Sequence, residues 1–168
     1  MKGNIVVDLE KCLGCHSCEI ACAVEHSRSK ELFQAVAERP RPQKRVIVEG
    51  CGGSNLPLQC RHCEDAPCVR VCPTGALVKE EIEGVVLLHD HLCIGCKWCV
   101  LACPFGVIVA APDDKVMIKC DLCQERAKAG RLPACVESCP TGALQLASTA
   151  QLAGTKRREF LVEYLQDR

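Results

Sequence analysis

Four groups of cysteines, each with four members, constrain this 168-residue chain more than any other feature. The first and third groups share the spacing C-x2-C-x2-C-x3-C and read CLGCHSCEIAC and CIGCKWCVLAC. The second reads CRHCEDAPCVRVC, the fourth reads CDLCQERAKAGRLPACVESC, and in both the last cysteine opens the motif CPTGAL. The chain therefore contains a repeated unit that is built around cysteine. The sixteen residues are Cys12, Cys15, Cys18, Cys22, Cys60, Cys63, Cys68, Cys72, Cys93, Cys96, Cys99, Cys103, Cys120, Cys123, Cys135 and Cys139.

The cysteine content, about a tenth of the chain, is typical of either a disulfide scaffold or metal sites. The N-terminal stretch MKGNIVVDLEKC has no apolar signal region, and no apolar run approaches the ~20 residues that span a bilayer. We therefore expect a cytoplasmic protein without a membrane span, in which the thiols stay reduced and bind metal. A formal net charge of zero gives no electrostatic footprint for nucleic acid, so we expect no nucleic-acid partner.

The fourth cysteine of the first and third groups stands apart from the other three. Cys99 and Cys103 are four residues apart and so lie on one face of a helical turn, and the first group repeats this spacing. Pro104 disfavours helical backbone at Cys103, so the chain is expected to leave the helix there. The run is the known spacing of bacterial ferredoxins, in which the fourth cysteine binds the other cluster of a pair. Each group is thus expected to supply three ligands to its own [4Fe-4S] cluster and one to a partner cluster.

A zinc-binding structural module is the remote alternative. Paired C-x2-C units also build tetrahedral zinc sites with four thiolates, and sixteen cysteines would serve four such sites. That scheme gives no role to a third cysteine two residues on, or to the proline that follows the fourth cysteine in three of the groups. Gly14 and Gly95 favour the cluster interpretation, since glycine lets a loop close tightly and turn its N-H groups toward sulfur.

Short strand-like segments indicate which groups exchange cysteines. The stretch GALVKEEIEGVVLLHDHLC reads as two strands around a polar turn and joins groups two and three. Two other segments look like the separate halves of a similar hairpin. They are NIVVDLEKC before group one and TGALQLA at the end of group four, and they complete each other if groups one and four pair. A competing hairpin in GVIVAAPDDKVMIKC joins groups three and four and would favour their pairing instead, so this alternative stays open.

Four features of the sequence belong together: the four groups, the CxHC opening of group two, the long gap inside group four and the repeated CPTGAL. In these features the chain resembles the four-cluster iron-sulfur subunits of complex redox enzymes. That family includes the electron-transfer subunits of dimethyl sulfoxide reductase, formate dehydrogenase and formate hydrogenlyase, tungsten aldehyde oxidoreductases, and the ferredoxin-like partner of carbon monoxide dehydrogenase. The resemblance covers roughly residues 4 to 146. It implies an α+β fold of two intertwined bacterial-ferredoxin-like modules, with short antiparallel hairpins and short helices around four [4Fe-4S] clusters.

The resemblance also implies which cysteines share a cluster, in a nested arrangement where groups one and four exchange their last cysteines, as do groups two and three. Each implied site is named after the group that supplies three of its ligands. The group-one site has Cys12, Cys15, Cys18 and Cys139, and the group-four site has Cys120, Cys123, Cys135 and Cys22. The group-two site has Cys60, Cys63, Cys68 and Cys103, and the group-three site has Cys93, Cys96, Cys99 and Cys72.

The predicted domain organisation follows from this pairing. Module A comprises residues 1–22 and 104–147, module B comprises 60–103, an insert spans 23–59, and a helical tail spans 148–168. The insert is interpreted as either a solvated linker or a docking surface. A helix is predicted within it, with Ser29 as its plausible N-cap. The tail is expected to pack on its own domain or on a partner. Cys51 belongs to no group and is expected to be a free thiol in a glycine-rich turn.

The function that we predict is electron transfer without catalysis, since no nucleophile-base pair and no phosphate-binding loop appears. The chain would relay single electrons between a large catalytic oxidoreductase subunit and a second redox subunit or soluble acceptor. Family breadth implies a molybdenum or tungsten pterin enzyme for formate or an aldehyde, typical of anaerobic metabolism. Carbon monoxide dehydrogenase or a hydrogenase as the partner, and a freestanding polyferredoxin, are the alternatives.

Overall fold

The computed structural model describes residues 3–81 and 84–166, which form short helices and two-stranded antiparallel sheets. The helices are α1 Ser17–Glu25, α2 Leu32–Ala37, α3 Pro67–Arg70, α4 Trp98–Ala102, α5 Gln124–Lys128, α6 Ala134–Glu137 and α7 Thr149–Gln166. The strands are β1 Asn4–Val7, β2 Val46–Cys51, β3 Ser54–Gln59, β4 Leu77–Lys79, β5 Val86–Leu88, β6 Val109–Ala110, β7 Met117–Ile118 and β8 Leu144–Ala147. The expected mixture of short helices and short antiparallel hairpins is therefore present.

Segments near the two ends of the chain meet in one sheet. β1 pairs antiparallel with β8, from Asn4 opposite Ala147 to Val7 opposite Leu144. Ile5 and Leu144 are both buried and belong to one hydrophobic cluster, so this sheet contributes to the core. The prediction that the strand before group one completes the strand after group four is confirmed.

Two further hairpins lie next to the cysteine groups. The predicted hairpin between groups two and three is β4 with β5, in which Leu77 is opposite Leu88 and Lys79 is opposite Val86. The competing hairpin also forms, as β6 with β7, with Val109 opposite Ile118. Each pair is a separate two-stranded sheet, so the second hairpin does not displace the pairing of β1 with β8. The pairing of β1 with β8, which joins groups one and four, and the β6–β7 hairpin between groups three and four are therefore compatible in one fold.

Groups one and three are structural copies that differ after their last cysteine. In each, a strand leads through a 3-10 turn into a cysteine loop and then into a short helix, α1 or α4. α4 ends at Ala102, and Cys103 is extended with φ −76° and ψ 113° before Pro104, as expected. No proline follows Cys22, and α1 continues to Glu25. The predicted exit of the chain from the helix at Cys103 is confirmed.

Residues 46–59 of the insert form a hairpin instead of a linker. β2 and β3 pair along their length around Gly52 and Gly53, whose φ values of 59° and 84° suit a tight hairpin turn. Val46 is 1% exposed and lies in the core with residues of groups one and four. The Val48 N–H donates to the Glu19 carboxylate of α1 over 2.7 Å. The solvated-linker interpretation is therefore wrong for this half of the insert.

The helix in the first half of the insert begins later than predicted. α2 starts at Leu32, because the Glu31 carboxylate caps it by accepting from Phe33 N at 3.2 Å and Gln34 N at 2.9 Å. Ser29 is not the cap, and its N–H instead donates to Glu38 at 2.9 Å.

The core consists of aliphatic side chains and cysteines in two clusters. One contains Ile5, Cys18, Cys22, Val46, Val85, Leu122, Cys135 and Leu144. The other contains Ala66, Cys68, Leu77, Val86, Cys99, Ile108 and Met117. Neither cluster contains an aromatic residue among the buried side chains described. The cysteine groups therefore occupy the places where a protein of this size would normally have its large apolar side chains.

The C-terminal helix α7 lies outside this core. None of its described residues is buried, and the apolar side chains of Phe160, Leu161 and Leu165 are more than half exposed. The tail is thus helical, as predicted. The structure does not show the tail packed on its own domain, which was one of the two interpretations. Over the described ranges, no helix combines the length and the apolar character needed to cross a membrane.

Candidate metal centres

Three cavities in the structure are each lined by cysteines from two different groups. The first is lined by Cys12, Cys15, Cys18 and Cys139, the second by Cys60, Cys63, Cys68 and Cys103, and the third by Cys72, Cys93, Cys96 and Cys99. They are nearly equal in size, with about 320, 310 and 300 Å³ of space between the lining residues, part of which is open to solvent. Each cavity thus combines three cysteines of one group with the last cysteine of another.

The remaining four cysteines lie together in the interior. Cys22, Cys120, Cys123 and Cys135 are all buried. Burial raises the pKa of the Cys123 thiol to about 11. Burial also raises the pKa of Cys135, and the neighbouring sulfurs of Cys22 and Cys123 raise it further. Because these sulfurs are near enough to repel one another as thiolates, the structure brings the last of the implied ligand sets together.

The sulfur environments also show which quartets are neighbours. The pKa of Cys135 is raised by burial first, and Cys18 of the group-one set is among the sulfurs that add to it. Burial likewise raises the pKa of Cys99 to about 11, with a smaller contribution from Cys68 of the group-two set. The four quartets therefore lie as two close pairs, groups one and four in one and groups two and three in the other.

Two glycines allow the cysteine loops to close. Gly14 and Gly95 have φ values of +66° and +67°, a left-handed conformation that side chains rarely adopt. A Cβ atom on Gly95 would lie 2.6 Å from the Lys115 carbonyl oxygen, and one on Gly14 would lie 2.7 Å from the Asn55 side chain. Both positions therefore favour glycine for backbone conformation, and Gly95 is also required for space because its neighbour is backbone.

Replacing Gly95 by alanine is expected to destabilise the protein more than the same change at Gly106. Gly106 has φ +63°, but a Cβ atom there meets nothing within 4 Å, so Gly106→Ala tests the backbone conformation alone. That conformation costs roughly 1–2 kcal/mol for a residue with a Cβ. Gly95→Ala adds the clash with Lys115 and should also lower the iron content. Anaerobic denaturation midpoints and iron assays measure both effects, and equal midpoints for the two variants would contradict the close approach.

The CPTGAL motif surrounds the sulfur of its own cysteine with hydrogen-bond donors. Burial alone would raise the pKa of Cys72, but the Leu77 N–H and the Thr74 hydroxyl bring it below the ordinary value of a thiol. The threonine hydroxyl lies 3.8 Å from this sulfur. The matching groups act in the same way on Cys139, where the Thr141 hydroxyl lies 3.7 Å from the sulfur. Both copies of the motif therefore stabilise a thiolate, the form in which cysteine binds metal.

Backbone N–H groups also point at sulfur elsewhere in the sites. Arg45 N lies 3.2 Å from the Cys22 sulfur. Leu122 N lies 3.4 Å from the Cys120 sulfur, the same distance as His62 N from the Cys60 sulfur. Hydrogen bonds to ligand sulfur stabilise the added negative charge of a reduced cluster and so raise its reduction potential.

His62, inside group two, carries a buried donor without a partner. The Val86 N–H donates to Nδ1 over 3.0 Å, so in the neutral ring the proton resides on Nε2. Burial lowers the pKa of His62 to about 3, and the ring is therefore neutral. Nε2 is buried and has no hydrogen-bond partner among the described residues. An unpaired buried N–H is costly, and this donor fits a group that brings sulfur acceptors.

A polar network that the sequence analysis did not identify covers the group-four site. His26 Nδ1 lies 2.8 Å from the Cys22 carbonyl oxygen and 3.8 Å from its sulfur, and Nε2 lies 3.2 Å from Asp121. Arg45 pairs with the same aspartate at 2.7 Å. Burial alone would lower the pKa of His26, but the hydrogen bond to Asp121 raises it to about 9. The only sequence signal was the position of His26 one helical turn after Cys22.

The seventeenth cysteine, Cys51, ends strand β2 opposite Ser54. Its side chain lies outside the part of the structure that is described, so its status as a free thiol stays a prediction.

Comparison with known proteins identifies the cofactor that these thiolates hold. The model of the 4Fe-4S dicluster domain family matches residues 53–149, more than half of the sequence, and a 4Fe-4S binding domain model matches residues 9–25. The protein belongs to the 4Fe-4S dicluster family. This confirms the predicted [4Fe-4S] cofactor, and a zinc-binding module does not fit such a dicluster protein.

Relatives of similar length support the same assignment for this dicluster protein. It is 42% identical to an iron-sulfur protein of Rhodospirillum rubrum over 87% of this chain and 83% of that one. It is 38% identical to the electron transport protein HydN of Escherichia coli (strain K12), over 94% of this chain and 97% of that one. It is 36% identical to the B subunit of anaerobic dimethyl sulfoxide reductase from Haemophilus influenzae, over 86% and 73%. The dicluster protein is an iron-sulfur electron carrier, as predicted.

Proposed function

We propose that this dicluster protein holds four [4Fe-4S] clusters in two intertwined ferredoxin-like modules and relays single electrons between a catalytic oxidoreductase subunit and a second redox partner. One observation carries the proposal. Each of the three cavities combines three cysteines of one group with the last cysteine of another, and the four buried cysteines left over make a fourth set of the same kind. These combinations coincide with the nested ligand sets that the family resemblance implies.

The protein's own residues would connect the sites in pairs. When bound, each cluster supplies a one-electron centre whose potential depends on its charge, on hydrogen bonds to sulfur and on solvent exposure. Helix α1 presents Cys18 to the group-one site and Cys22, one turn later, to the group-four site. A rigid helical turn therefore sets a short separation between the two sites of one module. α4 and Cys103 do the same for groups three and two.

A catalytic partner is supported by the relative that is a subunit of a reductase and by exposed apolar residues near two of the sites. Leu13 lines the group-one cavity and is largely exposed, and Ile94 lines the group-three cavity and is also largely exposed. Exposed apolar residues at the rim of a redox site suit an interface. We propose a molybdenum or tungsten pterin enzyme for formate or an aldehyde as this partner. Carbon monoxide dehydrogenase or a hydrogenase is the second candidate.

Replacing Cys22 is expected to remove the cluster of group four and not that of group one. Cys22 lies within the first cysteine motif, but its sulfur lies among those of Cys120, Cys123 and Cys135. The electron paramagnetic resonance spectrum of reduced Cys22→Ser should therefore lack the same signal as Cys123→Ser. Cys18 lies one helical turn before Cys22, and its replacement in Cys18→Ser should remove the same signal as Cys15→Ser does. A Cys22→Ser spectrum that matches Cys15→Ser would show that the exchange is wrong.

Copurification separates a complex subunit from a freestanding polyferredoxin. Anaerobic affinity purification of the native protein is expected to yield a stoichiometric large oxidoreductase subunit, and metal analysis of that complex should find molybdenum or tungsten. A monomer that carries all its iron and no partner would instead support the freestanding carrier.

A further inference from the structure

Lys119, directly before group four, is the only lysine that is fully buried among the described residues, with 4% of its surface exposed. Its ammonium group donates to two backbone carbonyls, that of Val86 and, over 2.6 Å, that of Cys120. Within the described ranges, no carboxylate lies at ion-pair distance from it. Burying an ammonium without a counter-charge is costly, and carbonyl dipoles compensate it only in part. The site therefore needs a source of negative charge that the protein's own carboxylates do not supply.

The ammonium group lies where the two proposed modules meet. Val86 belongs to β5, between groups two and three, and its N–H donates to His62 of group two. Cys120 opens group four. Lys119 thus links a ligand of the group-four set to the strand that holds the group-two loop. The link joins residues 33 positions apart in the sequence, so it is a tertiary contact between the modules.

The contacts of Lys119 place its charge beside both proposed sites. Val86, whose carbonyl accepts from Lys119, lines the cavity of the group-two cysteines and donates its N–H to His62 in the same loop. Cys120, whose carbonyl also accepts from Lys119, belongs to the group-four set. The ammonium group is therefore near enough to both proposed sites to favour negative charge in either.

We propose that Lys119 raises the reduction potential of the clusters in the group-two and group-four sites and so favours the arrival of electrons at these two sites, where the modules meet. A cluster with four thiolate ligands is negatively charged, and each added electron makes it more so. A buried positive charge stabilises the reduced form more than the oxidised form. In the transfer, one electron leaves one of the two sites and enters the other, and no bond or proton needs to change. The inference rests on the proposed ligand sets.

Redox titration of the purified holoprotein tests this role. The variants are Lys119→Gln, which keeps a hydrogen-bond donor without charge, Lys119→Met, which buries no polar atom, and Lys119→Arg, which keeps the charge. At the midpoint potential of the wild type, both neutral variants should lower the ratio of reduced to oxidised cluster by about tenfold at two of the four sites. For a one-electron couple a tenfold change corresponds to about 59 mV. The arginine variant should keep the wild-type ratios.

Lys128→Gln is the matched control, because it removes the same charge from an exposed position in α5 and should leave all four potentials unchanged. Iron content and the number of cluster signals are measured first, and fewer than four clusters in the wild type would contradict the ligand sets themselves. With four clusters present, unchanged potentials in a neutral variant, or an equal shift at all four sites, would overturn the role of Lys119. Loss of clusters from both neutral variants would also overturn it, and would assign Lys119 to structure alone.

Discussion

Removal of iron is expected to abolish the tertiary structure of this dicluster protein. Among the described residues, its two core clusters contain aliphatic side chains, Met117 and cysteines, with Cys18, Cys22 and Cys135 in one and Cys68 and Cys99 in the other. Without metal these buried thiols are small side chains, and three of them, Cys18, Cys68 and Cys99, border cavities that have no protein atoms to fill them. Since the ligand sets do not exist in the unfolded chain, the free energy of cluster binding is free energy of folding.

Anaerobic chelation followed by circular dichroism and thermal melting measures this effect. The iron-free protein should lose its cooperative transition and elute as an expanded species in gel filtration, and iron with sulfide should restore both properties. Cys51→Ser is the control for the chemistry, since Cys51 lies outside the four groups and its replacement should leave the iron content unchanged. A cooperative transition in iron-free protein would mean that the aliphatic contacts suffice to hold the fold.

The parts of the fold that local spacing determines could be predicted from the sequence. Cys99 and Cys103 are four residues apart, so a helical turn had to lie between them, and Pro104 had to end it. The half hairpins at Asn4–Val7 and Leu144–Ala147 were each too short to be stable alone, and each adjoins a cysteine group. Pairing of these two half hairpins with each other was therefore expected together with the pairing of groups one and four.

The hairpin in the insert has a local signal in the sequence. The run VIVEGCGGSNLPLQ holds two strand-like segments around Gly52 and Gly53, a pattern typical of a hairpin, which the solvated-linker interpretation does not take into account. For α2, Ser29 is a residue type that the N-cap position favours and Glu31 is not, so the sequence points to the wrong residue. Only the contact of Ser29 with Glu38 in the fold shows why Ser29 is not the cap.

The polar groups around the sites could not be predicted, because no spacing rule relates them. His26 and Asp121 are 95 residues apart and meet at 3.2 Å. Lys119 follows a strand and reads in the sequence as an ordinary lysine, yet it is buried against the carbonyl of Val86. The cysteine ligands are thus visible in the sequence through their repeated spacing, as are Thr74 and Thr141 of the repeated CPTGAL motif, whereas His26, Asp121 and Lys119 are brought to the sites only by the fold.

Replacing Arg126 by methionine is expected to destabilise the protein by about 3 kcal/mol, the scale for removing one partner of a buried ion pair. The Arg126 side chain is 6% exposed, pairs with Glu25 of α1 at 2.8 Å, and also pairs with Glu137 of α6. Its Nε donates to the Leu132 carbonyl over 2.7 Å. α1 carries Cys22 and α6 carries Cys135, so this one guanidinium joins the two helices that supply the group-four site.

Arg131→Met is the matched control, because Arg131 contacts the same Glu137 at 3.4 Å with a side chain that is 57% exposed. Exposed pairs contribute less than about 1 kcal/mol, so this variant should stay close to the wild type. Anaerobic denaturation compares the two stabilities, and the group-four resonance signal reports whether Arg126→Met also loosens that site. Equal stability of the two variants would mean that Glu25 finds enough support from Lys30, 3.4 Å away, and that packing of α1 on α6 holds the helices without Arg126.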